Sequence, residues 1–272
     1  MSNLAQRILT AVVLIPLVVA AVLMLSWSWL GVIFGVLVLA GTWEWTHLAG
    51  WSTPVRVTYV ILMAAGMYGL SLADTSVIQV LMGLAVLWWL VAFVRVVQVQ
   101  RGARLTLMPA PAWVLVGWLL LLPAWMSLVE IHRGSALGPE LLLLLLVLVW
   151  LADIGAYFAG RAFGRHKLAS NVSPGKTWEG AAGGAVISMA VAVAYALLRL
   201  ESDSTGFLLV ALATVAVSVL GDLAESLFKR MSGAKDSGGL LPGHGGVMDR
   251  IDSLTAAGPV FLVGLWMIGG AS

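Results

Sequence analysis

The chain has no cysteine and very few charged residues. The absence of cysteine excludes disulfide bonds, thiolate zinc sites and cysteine nucleophiles. Charged residues make up only 10% of its 272 residues, whereas a soluble domain carries roughly 25%. Hydrophobic residues make up 61%. This composition excludes an ordinary soluble domain and indicates an integral membrane protein.

Long apolar runs fill most of the sequence. A helix that spans a bilayer needs about 20 mostly apolar residues. Nine segments come close to that length, at approximately 8–25, 29–48, 57–73, 76–94, 112–130, 139–160, 177–198, 206–226 and 253–271. The first run follows a basic residue, as a signal peptide does, but no small-residue cleavage site follows it, so we expect it to be retained. We predict an all-α, polytopic membrane protein with about nine transmembrane helices.

The basic residues predict the orientation of these helices, because cytoplasmic loops of membrane proteins carry an excess of Lys and Arg. With the N-terminus in the cytoplasm, 13 of the 15 Lys and Arg residues fall in cytoplasmic segments, and only Arg133 and Arg199 fall outside. We therefore predict that residues 161–176 and 229–250 face the cytoplasm and that Ser272 lies on the outer side.

Polar residues divide the chain into two regions. Residues 1–138 form a five-span region with sparse polar content, and residues 139–272 form a four-span region that carries most carboxylates of interest. No internal repeat is evident, which disfavours the inverted repeats of a secondary transporter. Glu44 is a lone acid near the end of the second span, where an interhelical hydrogen bond is at least as good an explanation as catalysis.

The densest polar stretch covers residues 222–252 and holds nine charged side chains. Charges at membrane depth cost several kcal/mol each unless they are paired or face water, so a site is favoured over a purely structural role. One face at the cytoplasmic end of the eighth span carries four polar side chains spaced i, i+3, i+4 and i+7: Asp222, Glu225, Ser226 and Lys229. Asp249 and Asp252 share a face at the entrance of the ninth span.

A glycine-rich loop joins these two helices and contains Gly238-Gly239 and Pro242-Gly243-His244-Gly245-Gly246. Glycine lets the backbone approach a ligand closely. Carboxylates on two helix ends around such a loop are compatible with a Mg²⁺ site, because Mg²⁺ takes one or two carboxylates together with water and phosphate oxygens. The alternative for each acid beside a base, such as Asp249 and Arg250, is a neutralising pair.

A second polar stretch runs from Asp153 to Gly180 and contains Gly175-Lys176-Thr177. These three residues suggest a P-loop, but that motif needs a glycine five residues before Gly175 and Ser170 stands there. We predict a helix start instead, with Ser173 as N-cap and Pro174 in the first turn. Free backbone N–H groups at such a start, together with Lys176, would bind a phosphate.

The run from Ser226 to Asp252 resembles the signature of the phosphatidate cytidylyltransferases. The matching positions are Ser226, Lys229-Arg230, Lys235-Asp236, Pro242-Gly243-His244-Gly245-Gly246 and Asp249-Arg250-Ile251-Asp252. The blocks from Asp153 to Gly164 and from Ser173 to Gly180 are also similar to blocks of that family. The motifs cover about residues 153–259.

This resemblance implies an enzyme of phospholipid biosynthesis, usually a homodimer, in the bacterial cytoplasmic (inner) membrane. It would transfer CMP from CTP to phosphatidic acid, giving CDP-diacylglycerol and pyrophosphate at a site that faces the cytoplasm. The resemblance implies Asp222 and Asp249 as ligands of a required Mg²⁺, with room for a second cation. Membrane lipids are expected partners and nucleic acid is not.

The remaining candidate residues are assigned by role. We expect six catalytic residues: Lys229, Arg230, Lys235, His244, Arg250 and Asp252. We expect six substrate-binding residues: Asp153, Lys176, Ser226, Asp236, Gly245 and Gly246. Two alternatives stay open. A transporter or channel would place acids near the bilayer midplane, and a cytidylyltransferase for another membrane lipid or a polyprenyl phosphate would share the same spacing.

Overall fold

The computed structural model describes residues 3–200, 204–234, 236–238 and 245–269. Within these residues the chain forms nine helices: α1 (Asn3–Met24), α2 (Trp27–Leu48), α3 (Thr53–Ser71), α4 (Thr75–Gln100), α5 (Ala110–Arg133), α6 (Gly138–Phe163), α7 (Trp178–Arg199), α8 (Thr205–Met231) and α9 (Met248–Met267). Each predicted apolar segment corresponds to one of them. An antiparallel hairpin of β1 (Lys167–Ala169) and β2 (Ser173–Thr177) lies between α6 and α7 and was not predicted.

Six of the described helices are long and apolar enough to cross a membrane, namely α2, α4, α5, α6, α7 and α8. They make the chain a helical protein with several candidate membrane spans. The described apolar part of α1 is shorter, at Leu14–Met24. The start of α9 carries Asp249, Arg250 and Asp252. The count of nine spans therefore stays a prediction.

The core of the bundle is held by buried tryptophans as well as by aliphatic side chains. Trp45 of α2 donates from its indole nitrogen to the carbonyl of Trp113 at 3.0 Å, and Trp125 of α5 donates to the carbonyl of Gly31 at 2.8 Å. Trp89 of α4 donates to Thr255 of α9 at 3.2 Å. A buried indole N–H usually has an acceptor, and these bonds hold α2 against α5 and α4 against α9.

Small residues let α6 and α7 pack closely. A methyl group added at Gly184 of α7 would overlap the backbone of Ala152 in α6, and one added at Gly155 would lie 2.8 Å from the Gly184 Cα. The hydroxyl of Ser188 then reaches the carbonyl of Leu148 at 2.8 Å. Close backbone approach through small residues is a common way to join membrane helices. It places Asp153 of α6 beside the hairpin and α8.

The predicted helix start at Ser173 is wrong. Residues Ser173–Thr177 form β2, and α7 begins at Trp178 with Thr177 as its N-cap, whose hydroxyl accepts from the Gly180 N–H at 3.1 Å. Pro174 is tolerated because a strand in a two-stranded hairpin needs few ladder N–H donors. Lys176 is therefore carried on a strand rather than at a helix N-terminus.

We predict that Gly184→Ala destabilises the protein by about 1–3 kcal/mol, because the added methyl group overpacks the contact between α6 and α7. Gly83→Ala is the matched control, since no heavy atom lies within 4 Å of its added methyl group and alanine is the better helix former. Thermal unfolding in detergent measures both variants. Equal melting temperatures would contradict the close packing.

Candidate active site

The candidate site lies where α6, β2, α8 and the start of α9 meet. Asp222 lies nine residues before the end of α8, which is about 14 Å at 1.5 Å per residue. Asp153 lies ten residues before the end of α6, about 15 Å from that end. The polar residues are thus recessed below the ends of these helices, and the hairpin lies at the same end of the bundle.

Lys176 and Asp222 form the first ion pair of the site. The Lys176 ammonium lies 2.6 Å from Oδ2 of Asp222, and both side chains are partly accessible. The Ser226 hydroxyl makes a long contact of 3.5 Å with Oδ1 of Asp222. Asp153 is close enough to interact electrostatically with both Lys176 and Asp222. Four residues predicted separately for substrate and metal binding are therefore brought together.

Lys229 forms the second ion-paired group and joins two helices. Its ammonium lies 3.1 Å from Oε2 of Glu225, one turn earlier on α8, and 2.6 Å from Oδ1 of Asp249 on α9. Glu225 is almost fully buried, with a side chain only 2% exposed. A buried carboxylate is costly unless it is paired, so Lys229 stabilises Glu225 and Asp249 at once.

The other oxygen of Asp249 is held by the glycine-rich loop. The Gly246 N–H donates to Oδ2 at 2.8 Å, and the Ser237 hydroxyl donates to the same atom at 2.8 Å. Gly245 has a φ of 78°, a conformation that favours glycine. A side chain there would also approach Asp249 Oδ2 to 2.9 Å. Gly246 thus binds the Asp249 carboxylate through its N–H, and Gly245 leaves space beside that carboxylate.

Asp252 adds a further carboxylate on the next turn of α9. It interacts electrostatically with Asp222 and Glu225, and its Oδ1 accepts from the Ser253 N–H at 2.8 Å. Among the described residues of α6, β2, α8 and α9, the site therefore contains two ammonium groups, Lys176 and Lys229, and five carboxyl groups: Asp153, Asp222, Glu225, Asp249 and Asp252. This excess of acid favours the binding of a cation.

Glu44 is a site residue whose role the sequence left open between an interhelical hydrogen bond and catalysis. It is only 2% exposed, and its Oε2 accepts from the Met248 N–H at 2.8 Å at the start of α9. Its Oε2 also lies 3.4 Å from the Ser237 hydroxyl. The only signal in the sequence was the presence of an acid in an apolar span, which does not reveal its partner.

Two of the predicted residues do not join this cluster. Arg230 and Asp236 are exposed, and neither side chain makes a hydrogen bond or ion pair within the part of the chain that the structure describes. Arg250 is exposed on α9. Lys235 and His244 lie outside the described residues, so their catalytic roles stay predictions.

An apolar cavity of about 880 Å³ lies against the same stretch of α8 that carries Asp222. Its walls come from α4, β1, α7, α8 and α9, and Leu220 and Leu223 line it on either side of Asp222 in sequence. Trp178, two residues after Lys176, also lines it, and Gln100 and Arg101 supply a polar edge. A charged site and an apolar cavity therefore share the same stretch of α8.

Known proteins resemble this chain over nearly all of its length. The sequence model of the cytidylyltransferase family matches residues 5–268. The chain belongs to the cytidylyltransferase family. It is 45% identical to the phosphatidate cytidylyltransferase of Pseudomonas aeruginosa, with 98% of each chain covered. It is 39% identical to that of Haemophilus influenzae, over 95% of this chain and 97% of the relative, and 35% identical to that of Brucella suis, over 94% and 91%. The resemblance seen in the sequence is confirmed.

A magnesium ion, which the resemblance to this cytidylyltransferase family implies, fits the donor set. Asp222 and Asp249 offer hard carboxylate oxygens, and each already attracts one ammonium group at 2.6 Å. Among the described residues no three Asp, Glu or His side chains are arranged to enclose a metal. Mg²⁺ is often bound by one or two carboxylates and completed by water and substrate phosphates.

We predict that Lys229→Met destabilises the ligand-free protein by about 3–5 kcal/mol, because removal of one partner leaves buried charges unpaired. Arg199→Met is the matched control: Arg199 pairs with Glu140, but the two side chains are 45% and 40% exposed, and exposed pairs contribute about 0–1 kcal/mol. Thermal unfolding in detergent with EDTA measures the difference. Adding Glu225→Gln to Lys229→Met should recover part of the loss, and equal effects of the two single variants would contradict the assignment.

Proposed function

We propose that this protein transfers CMP from CTP to phosphatidic acid and releases pyrophosphate, which yields CDP-diacylglycerol for phospholipid synthesis. The observation that carries the proposal is the match, over almost the full chain, to relatives that are named phosphatidate cytidylyltransferases. The charged cluster beside an apolar cavity supports it, because the two substrates are a triphosphate and a phospholipid.

The chemistry needs little acid–base help from the protein. The phosphate of phosphatidate is a monoester whose second pKa lies near 6, as for other phosphomonoesters, so it is an anion at neutral pH. One of its oxygens forms a bond to the α-phosphorus of CTP. The bond from that phosphorus to the α,β-bridging oxygen breaks, and the electron pair leaves with pyrophosphate. The main barrier is the approach of two anions, so positioning and charge neutralisation dominate catalysis.

The described residues suit that task. Lys176 and Lys229 each place an ammonium group beside an aspartate, where phosphate oxygens can also reach it. Asp222 and Asp249 would hold Mg²⁺, which when bound neutralises triphosphate charge, and a second cation is compatible with the remaining carboxylates. Gly246 directs a backbone N–H into the site. Asp153 and Asp252 would orient these groups rather than contact anionic substrate.

The apolar cavity would receive the acyl part of the lipid. Its lining includes the small side chains Ala181, Ala182 and Ala185 of α7, which leave room between α4 and α8. Its volume lies in the usual range for ligand sites, about 300–1,000 Å³. Because the lining residues Leu220 and Leu223 flank Asp222 in the sequence of α8, a lipid with its tails in the cavity would carry its phosphate towards the Lys176 side of the site.

The orientation and assembly complete the proposal. We place the N-terminus and the active site at the cytoplasmic face of the bacterial inner membrane, because CTP is cytosolic and the basic residues concentrate on that side. We expect nine spans and a homodimer, and we keep residues 1–138 and 139–272 as the N-terminal and catalytic regions. Glu44 is the contribution of the first region to the site.

The alternatives differ in what they require. A transporter or channel would need a polar path through the bundle, whereas the cavity beside these acids is apolar and no internal repeat is evident in the sequence. A cytidylyltransferase for another lipid or a polyprenyl phosphate would use the same charged residues.

Purified protein in detergent with CTP and Mg²⁺ should form CDP-diacylglycerol from phosphatidate and give little product from a polyprenyl phosphate. The reverse preference would overturn the lipid assignment.

We predict that Asp222→Asn and Asp249→Asn each lower kcat by at least about 100-fold, because bound metal contributes several kcal/mol to such reactions. The fold should persist, since asparagine keeps the shape of each side chain. Asp74→Asn is the control, because Asp74 is an exposed acid at the N-cap of α4 whose side chain makes no capping hydrogen bond and which lies outside the candidate site. Product formation is measured across a Mg²⁺ titration. Unchanged turnover and Mg²⁺ dependence in either variant would remove that residue from the metal site.

We predict that a single cysteine at Gly175 is labelled only from the cytoplasmic face and one at Ala136 only from the outside. The two positions flank opposite ends of α6, Gly175 has open space around it, and the chain has no other cysteine. Sealed cells treated with an impermeant maleimide measure the labelling. Labelling of the cysteine at position 175 in intact cells would reverse the proposed orientation.

A further inference from the structure

Glu44 is a buried carboxylate of the N-terminal region that the reaction chemistry does not use. It lies on α2 and is 2% exposed. Among the described residues it has no ion pair, and its Oε1 has no hydrogen-bond partner. A carboxylate that is buried without a cation is costly. The groups that contact Glu44 should therefore explain why a carboxylate is buried there.

The first contact is with the start of α9. A helix leaves its first N–H groups without partners inside the helix, and a side-chain oxygen at the N-cap usually accepts one of them. The N-cap of α9 is Val247, which has no such oxygen. Oε2 of Glu44 accepts from the N–H of Met248, the first residue of α9, at 2.8 Å. The negative charge also lies at the positive end of the helix dipole.

The second contact is with the loop that holds Asp249. The Ser237 hydroxyl donates to Asp249 Oδ2 at 2.8 Å and lies 3.4 Å from Glu44 Oε2. Side chains at Gly238 and Gly246 would overlap the Glu44 carboxylate. Two glycines of the loop therefore make room for Glu44, in addition to any approach to a ligand.

We infer that Glu44 is a positioning residue for the metal site: it caps α9 from another helix and thereby fixes the direction of Asp249 and Gly246. This inference rests on the proposed function, since it assigns Asp249 to the metal. Because Asp249 is the second residue of α9, a shift in the first turn of that helix moves its carboxylate directly. Glu44 acts through Met248 and Ser237 and need not touch substrate.

The test compares Glu44→Ala with Glu44→Gln in the full chain in detergent. Glutamine keeps an oxygen that can accept from the Met248 N–H, whereas alanine removes the acceptor. The rise in melting temperature on adding Mg²⁺ alone and the Mg²⁺ concentration for half-maximal activity are measured for each. We expect Glu44→Ala to lose most of the Mg²⁺-induced rise and to need at least fivefold more Mg²⁺, and Glu44→Gln to stay within about twofold of the unchanged protein.

Glu140→Ala is the control, because it removes an acid from the exposed pair with Arg199 and should change neither measurement. A lower basal melting temperature for Glu44→Ala with unchanged Mg²⁺ response would overturn the inference in favour of a purely structural role. If Glu44→Ala does not fold, Glu44→Asp, whose oxygen falls short of Met248, replaces it and is held to the same expectation. A Glu44→Gln variant as defective as the alanine variant would show that the charge matters and also overturn the capping role.

Failure of the unchanged protein to use phosphatidate would defeat the proposed function, while the Mg²⁺-induced melting shift would still decide the role of Glu44.

Discussion

The site depends on the interaction of the Lys229 ammonium group with two carboxylates. It lies between Glu225 on its own helix and Asp249 on the next, so that α8 and α9 share one counterion. In an apolar bundle, carboxylates are stable only beside cations or N–H donors, and the other oxygen of Asp249 is satisfied by Gly246 and Ser237. The loop, the two helices and the candidate metal ligand are therefore one connected unit.

A second ion pair also joins two elements of the site, and its residues lie farther apart in the sequence. Lys176 on β2 reaches Asp222 on α8, and the hairpin that carries it is fastened at both ends. Glu179 accepts from the N–H groups of Arg165 and His166 before the hairpin, and the Asn171 side chain donates to backbone carbonyls at the end of α4. Lys176 is thus held by a tethered element, and we expect its ammonium group to reach a substrate phosphate without a change of fold.

Local spacing was sufficient to predict part of this arrangement. The helical interval from Asp222 to Lys229 placed Glu225, Ser226 and Lys229 on one face, and the contacts of Lys229 and Ser226 confirm that face. Hydropathy likewise identified a segment for each helix, since burial in lipid needs a continuous apolar run.

Other features could not be read from local spacing. The hairpin at Ser173 was mistaken for a helix start, because Ser followed by Pro is common at both helix starts and turns. The contact between Glu44 and Met248 joins residues 204 positions apart, and no periodicity carries such information. The pairing of Lys176 with Asp222 depends in the same way on how α6, α7 and α8 pack.

The polar start of α9 has a consequence for the biogenesis of the protein. Among the described residues, six earlier helices are long and apolar enough to cross a membrane and α9 is not among them. Its first five residues include Asp249, Arg250 and Asp252. The Asp249 carboxylate is paired with Lys229 of α8 and with the Gly246 N–H of the preceding loop, and Glu44 of α2 accepts from the Met248 N–H. A bundle in which α8 is misplaced would leave Asp249 without this counterion, so we expect the start of α9 to take up its position only together with α8 and α2.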